Sequence, residues 1–147
     1  MLKLKPTFGG EHYMVGLTLL LQGDAEAALA EIQQEHMESW RLPGLVMAYY
    51  QLGRRAESDA SLEEVMNKYG KALPSHVAYA LAYRGEKDRA FELLEQADVR
   101  TISDIIMASH AVLAPLHSDP RWLPFLRKHG MAPEQLAAIK FDVKVPR

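Results

Sequence analysis

Along most of the chain apolar residues recur every three or four positions, and glycine interrupts the recurrence at regular intervals. After Gly23 the apolar set is Ala25, Ala28, Leu29 and Ile32. After Gly53 it is Ala56, Ala60, Leu62, Val65 and Met66, and after Gly85 it is Ala90, Phe91, Leu93, Leu94 and Ala97. This is the period of an amphipathic helix. It predicts helices near 10–22, 24–36, 41–52, 55–69, 74–84 and 86–98, with a shorter one over about 102–114. Ser118-Asp119-Pro120 reads as a helix start, with a capping side chain ahead of a first-turn proline; that helix should run to Lys128 and stop at Gly130. Pro133 opens a last short helix ending near Ile139, and residues 140–147 read as an extended tail.

Three phrases mark the interruptions: Leu20-Leu21-Gln22-Gly23-Asp24, Tyr50-Gln51-Leu52-Gly53-Arg54 and Tyr83-Arg84-Gly85-Glu86. Their glycines lie 30 and 32 residues apart. Glycine adopts the left-handed conformation that ends a helix at little steric cost, so each phrase predicts the bend of an antiparallel helical hairpin. The expected architecture is all-α: a solenoid of three hairpins, over about 9–38, 39–70 and 71–101, closed by capping helices over about 102–139, in a single domain. Trp40 reads as a plug between hairpins, and Trp122 as the anchor of the C-terminal helix over the third.

Composition narrows the function more than the fold. The formal net charge of -2 gives no field favouring nucleic acid or an anionic membrane. There are no cysteines, which excludes disulfides, zinc–thiolate sites and cysteine nucleophiles and fits a cytoplasmic protein. The longest near-apolar run, Val15 to Leu21, is far shorter than the ~20 residues of a membrane span. The histidines, His12, His36, His76, His110, His117 and His129, show no metal-ligand spacing. Carboxylate pairs such as Glu63 and Glu64 alternate with apolar residues, as on a solvated helix face. Gly9-Gly10 and Gly70-Lys71 lack the ending of a phosphate loop, and no serine lies in a nucleophile elbow. Neither an enzyme, a metal nor a cofactor is expected.

The repeats resemble tetratricopeptide repeats, a family with a unit of about 34 residues. Aligned on the turn glycines, Gly16, Ala28 and Ile32 fall on the family's packing positions in the first repeat. Leu45, Tyr49, Leu52, Gly53, Ser58 and Leu62 do so in the second, and Ala78, Leu81, Gly85, Ala90 and Leu94 in the third. The units are shorter than the family's and the terminal proline is displaced. The stretches Glu38 to Leu42, Ala48 to Ala60, Tyr83 to Glu95 and Leu116 to Trp122 are similar to a bacterial subgroup found C-terminal in adenylate or guanylate cyclases and winged-helix regulators.

The resemblance implies a protein-binding module whose first helices line a concave groove, here with Tyr13, Leu17, Met47, Tyr50, Tyr79 and Tyr83. Tyrosine suits such a surface, offering large area and a hydroxyl at low entropic cost. Arg54, Arg55 and Arg84 would form a solvated rim. The family's clamp for a chaperone tail's carboxylate is missing, since Tyr13, Leu17, Gly44, Ala72 and His76 stand where lysines and asparagines are needed. The expected partner is a protein or peptide, with no nucleic acid and no membrane. The alternative is a self-associating, homodimeric module of a larger signalling or transcription protein.

Overall fold

The computed structural model describes residues 9–97 and 111–140, which are all-helical. Six helices form three consecutive pairs: α1 (Glu11–Gln22) with α2 (Ala25–Ile32), α3 (Glu38–Gln51) with α4 (Arg55–Tyr69), and α5 (Pro74–Tyr83) with α6 (Lys87–Gln96). A 3-10 turn (Ala111–Leu113) leads into α7 (Ala114–His117), followed by α8 (Trp122–Lys128) and α9 (Pro133–Ala137). Most of the helix expected over 102–114, and the expected tail apart from Lys140, lie outside the described residues.

The three bends are built alike. Gly23, Gly53 and Gly85 have φ of 87°, 74° and 78°. At each, the glycine N–H donates to the carbonyl three residues back, and the next N–H donates five back, as in Asp24 to Leu19, Arg54 to Tyr49 and Glu86 to Leu81, all 2.9 Å. These bonds satisfy carbonyls that a helix end leaves open. Gly130 ends α8 the same way, with Met131 N–H donating to Leu126.

Successive pairs pack on one another: α1 and α2 lie against α3, and α3 and α4 against α5. The 3-10 turn and α7 then pack on α5. Five residues past each turn glycine, Ala28, Ser58 and Ala90 are fully buried; nine past, Ile32, Leu62 and Leu94 are buried. Small residues at the first row let the helices approach, and branched ones at the second fill the layer. The fit is tightest at Ile32, which is held between Gly16 of α1 and Gly44 of α3. A Cβ on Gly16 would collide with Ile32 Cγ1 and fall 2.9 Å from its Cδ1, and one on Gly44 would fall 2.8 Å from its Cγ2. Ser58 is the polar member of its row. Its hydroxyl donates to the Val46 carbonyl (2.8 Å) and accepts from Arg84 Nη1 (3.0 Å), so its burial leaves nothing unpaired.

α3 starts at Glu38, three residues before the sequence expectation, and carries Pro43 inside it. Proline has no N–H, so the carbonyl four residues back, that of Ser39, lacks its helical donor. His76 Nδ1 of the next pair lies 3.2 Å from that oxygen. The helix thus keeps a proline because a neighbouring helix supplies the donor.

Candidate functional site

Of the six residues expected to line a groove, four lie in the core. Tyr13, Leu17, Met47 and Tyr79 are at most 4% exposed. The cause is an aromatic ladder across the three first helices. Tyr13 packs on Trp40 (5.0 Å between centroids), Trp40 on His76 (3.9 Å) and His76 on Tyr79 (6.4 Å). These rings fill space that the groove reading assigned to a ligand. Burial also raises the Tyr13 phenol well above its usual range, with Tyr79 adding to the effect.

Tyr50 and Tyr83 remain half-buried. Neither stands open. Tyr50 has Arg55 3.9 Å above its ring and Arg84 at 5.7 Å, and the Tyr83 hydroxyl donates to Gln51 Oε1. Arg84 is no solvated rim residue. Its side chain is 12% exposed and its guanidinium meets Asp59 (2.6 Å), Glu86 (2.7 Å) and Ser58. It joins α5 to α4, whereas Arg54 is exposed, pairing with Glu57 and covering the Tyr49 ring.

One stretch of open apolar surface among the described residues is on α1. Met14 is 46% and Val15 49% exposed, and Leu21 is exposed one to two turns further on. Beside them a cavity of about 430 Å³ is lined by Gly9, Gly10, Glu11, Tyr13, Met14 and Trp40. Its walls are almost wholly apolar, in the size range of ligand and side-chain pockets. The backbone beneath it is fixed by Glu35. That buried carboxylate accepts from the N–H groups of Gly10 (3.0 Å) and Tyr13 (3.3 Å) at the start of α1, and from Met37 N–H (2.9 Å). Burial would push the Glu35 carboxyl up, but the three amide donors, with His12 nearby, hold it below the usual glutamate range.

Charge is segregated along the chain. Residues 9–36 contain Glu11, Asp24, Glu26, Glu31 and Glu35 and no lysine or arginine. His12 Nδ1 lies 2.8 Å from Glu31. Residues 111–140 hold Arg121, Arg127, Lys128 and Lys140 against Asp119 and Glu134.

The C-terminal helices are fastened to α6 by rings, by Arg121 and by an ion pair between Lys128 and Glu95. Trp122 is buried, with Phe125 at 5.7 Å and His117 at 4.8 Å, and Phe125 meets Phe91 edge-on at 6.4 Å. Arg121 lies 4.4 Å over Phe91 and pairs with Asp88 (2.8 Å) and Asp119 (2.9 Å). The ring contact with α6 is made by Phe125, while Trp122 meets His117 of α7 and Phe125 of its own helix.

Sequence reasoning missed Glu35, Trp40 as a cavity wall, and His76 as a donor; His110 lies outside the described residues. The one available signal was Pro43, which announces a carbonyl in need of a partner. Among the described residues no group of three or more histidines and carboxylates is placed to hold a metal ion, and no helix is long and apolar enough to cross a membrane. No family profile matches the chain, and no curated protein or solved structure does either.

Proposed function

We propose that the chain is a helical-repeat module of the tetratricopeptide type, a short α-solenoid, that binds another protein through the outer face of α1. One observation carries this reading. Counted back from the turn glycines, Met14, Val15 and Thr18 match Gly44, Leu45 and Ala48 in α3 and His76, Val77 and Ala80 in α5. In α3 and α5 these positions are buried or half-buried against the preceding pair; in α1 all three are exposed. Two large apolar side chains in open solvent, beside an apolar cavity, fit an interaction surface.

The test is affinity capture from cell lysate, comparing the chain with Met14→Gln/Val15→Gln. A partner retained by the first and lost by the folded variant supports the reading. Equal retention by both moves the site elsewhere.

Self-association is the second reading. It is favoured by apolar side chains exposed near both ends of the described chain, Met14 and Val15 at one and Leu123 and Leu136 at the other. A monomeric mass in light scattering at high concentration counts against it.

A further inference from the structure

We infer that the outer face of α1 receives a cationic amphipathic helix, an inference that rests on the protein-binding reading and specifies its partner. Register gives the shape of a cover for this face. In α3 the matching face is covered by a helix, α2, whose Ile32 side chain lies against Gly44. A partner in the equivalent place on α1 therefore meets it as a helix meets a helix, laying an aliphatic stripe over Met14, Val15 and Thr18. Met14 and Thr18 are larger than their counterparts Gly44 and Ala48, so this partner sits further out there than α2 does on α3.

The cavity beside Met14 extends the stripe. Its floor is the Trp40 ring, it admits a large apolar side chain at one end of the partner helix, and its rim carries the exposed carboxylate of Glu11.

Charge selects among helices. The pair α1–α2 presents carboxylates and no lysine or arginine. Glu35 is consumed by backbone amides, Glu31 by His12, and Glu26 lies within electrostatic reach of Arg54, while Glu11 stands exposed at the cavity. Lysines or arginines flanking the partner's apolar stripe are attracted to this field, and an acidic helix or an anionic membrane is repelled. A second copy docking through its own α1 would oppose like charges.

The experiment uses the full chain and two synthetic helical peptides. One carries leucine on one face and lysine on the other; the second has glutamate in place of lysine. Binding is read by fluorescence anisotropy. The lysine peptide should bind, and the glutamate peptide should bind at least about tenfold more weakly. Raising salt from about 0.05 M to about 0.5 M should weaken the lysine complex, since exposed charges are screened. Met14→Gln/Val15→Gln should weaken it about tenfold or more, with unchanged far-UV circular dichroism showing that the variant folds. Glu11→Gln should flatten the salt dependence.

Equal binding of both peptides, or of the lysine peptide to both proteins, overturns the inference. Self-association abolished by Met14→Gln/Val15→Gln assigns the face to a second copy and overturns it too. If neither peptide binds while lysate capture still yields a partner dependent on Met14 and Val15, the partner class is wrong and the protein-binding reading stands.

Discussion

His76 Nδ1 lies 3.2 Å from the carbonyl oxygen of Ser39, the oxygen that Pro43 leaves without a helical donor. One residue of α5 thus completes the backbone of α3, and its ring also stacks on Trp40. His76→Ala removes both contacts. An acceptor left unpaired costs roughly 1–3 kcal/mol, and the lost stack adds to it. In a Pro43→Ala background the helix regains an N–H for Ser39, so His76→Ala should cost less there. Urea unfolding of the four proteins in a double-mutant cycle checks this; strictly additive costs would show that His76 and Pro43 are not coupled.

Glu35 makes stability depend on acid. Its carboxyl is held below the usual range in the folded chain, so the stabilisation is present above the unfolded value of about 4.3 and is lost as pH falls through the lower folded value. Glu35→Gln keeps an acceptor but loses the charge that strengthens bonds from the Gly10, Tyr13 and Met37 amides. It should lower stability by about 1–2 kcal/mol at pH 7, and the difference from wild type should shrink as the pH falls below 4. A gap that is constant from pH 7 to pH 3 would rule out the charged carboxylate as the source.

Two glycines should fail for opposite reasons. Gly23 has φ 87° with nothing within 4 Å of an added Cβ, so Gly23→Ala costs about 1–2 kcal/mol through backbone strain alone. Asparagine, which tolerates that conformation, should recover part of it. Gly16 sits in an ordinary helix, where alanine is favoured by about 1 kcal/mol, but its Cβ would collide with Ile32. Overpacking of about 1–3 kcal/mol should outweigh the gain. Thermal unfolding separates the cases, because Ile32→Ala, which removes both colliding atoms, should relieve Gly16→Ala and leave the cost of Gly23→Ala unchanged.

The C-terminal helices are held by apolar contact more than by ions. Phe125→Ala should cost about 3–5 kcal/mol, since that buried ring joins Trp122 and Phe91. Arg121→Ala should cost less than Phe125→Ala, because Arg121 is half-exposed and its partner Asp88 largely solvated, although Asp119 is mostly covered. Denaturant titration ranks the two, and the reverse order would place the anchoring in the ion pairs.

The bends and the buried rows were legible in the sequence because both obey local rules. Glycine at a helix end has one conformational reason, and Ala28, Ser58 and Ala90 recur at a fixed distance from it. The faces of the first helices were not legible. Leu17, Met47 and Tyr79 occupy one row, six residues before each turn glycine, and all three are buried. Whether such a row faces a groove or a neighbour depends on how closely α1, α3 and α5 approach, and the Tyr13–Trp40–His76 ladder that decides it joins residues far apart in the chain. The α3 start was placed late, so Trp40 was read outside the helix; the donor that lets the helix accommodate Pro43 lies 33 residues further on. Glu35 carried no local mark, since a carboxylate that caps a distant helix looks like any other.

The repeated glycine bends bear on how the chain assembles. Each closes a short segment on itself, so a helix finds its first partner within a few residues of sequence, where the entropy lost in closure is small. Contacts between pairs, α1 and α2 on α3 and α3 and α4 on α5, join residues further apart in the chain and close longer loops.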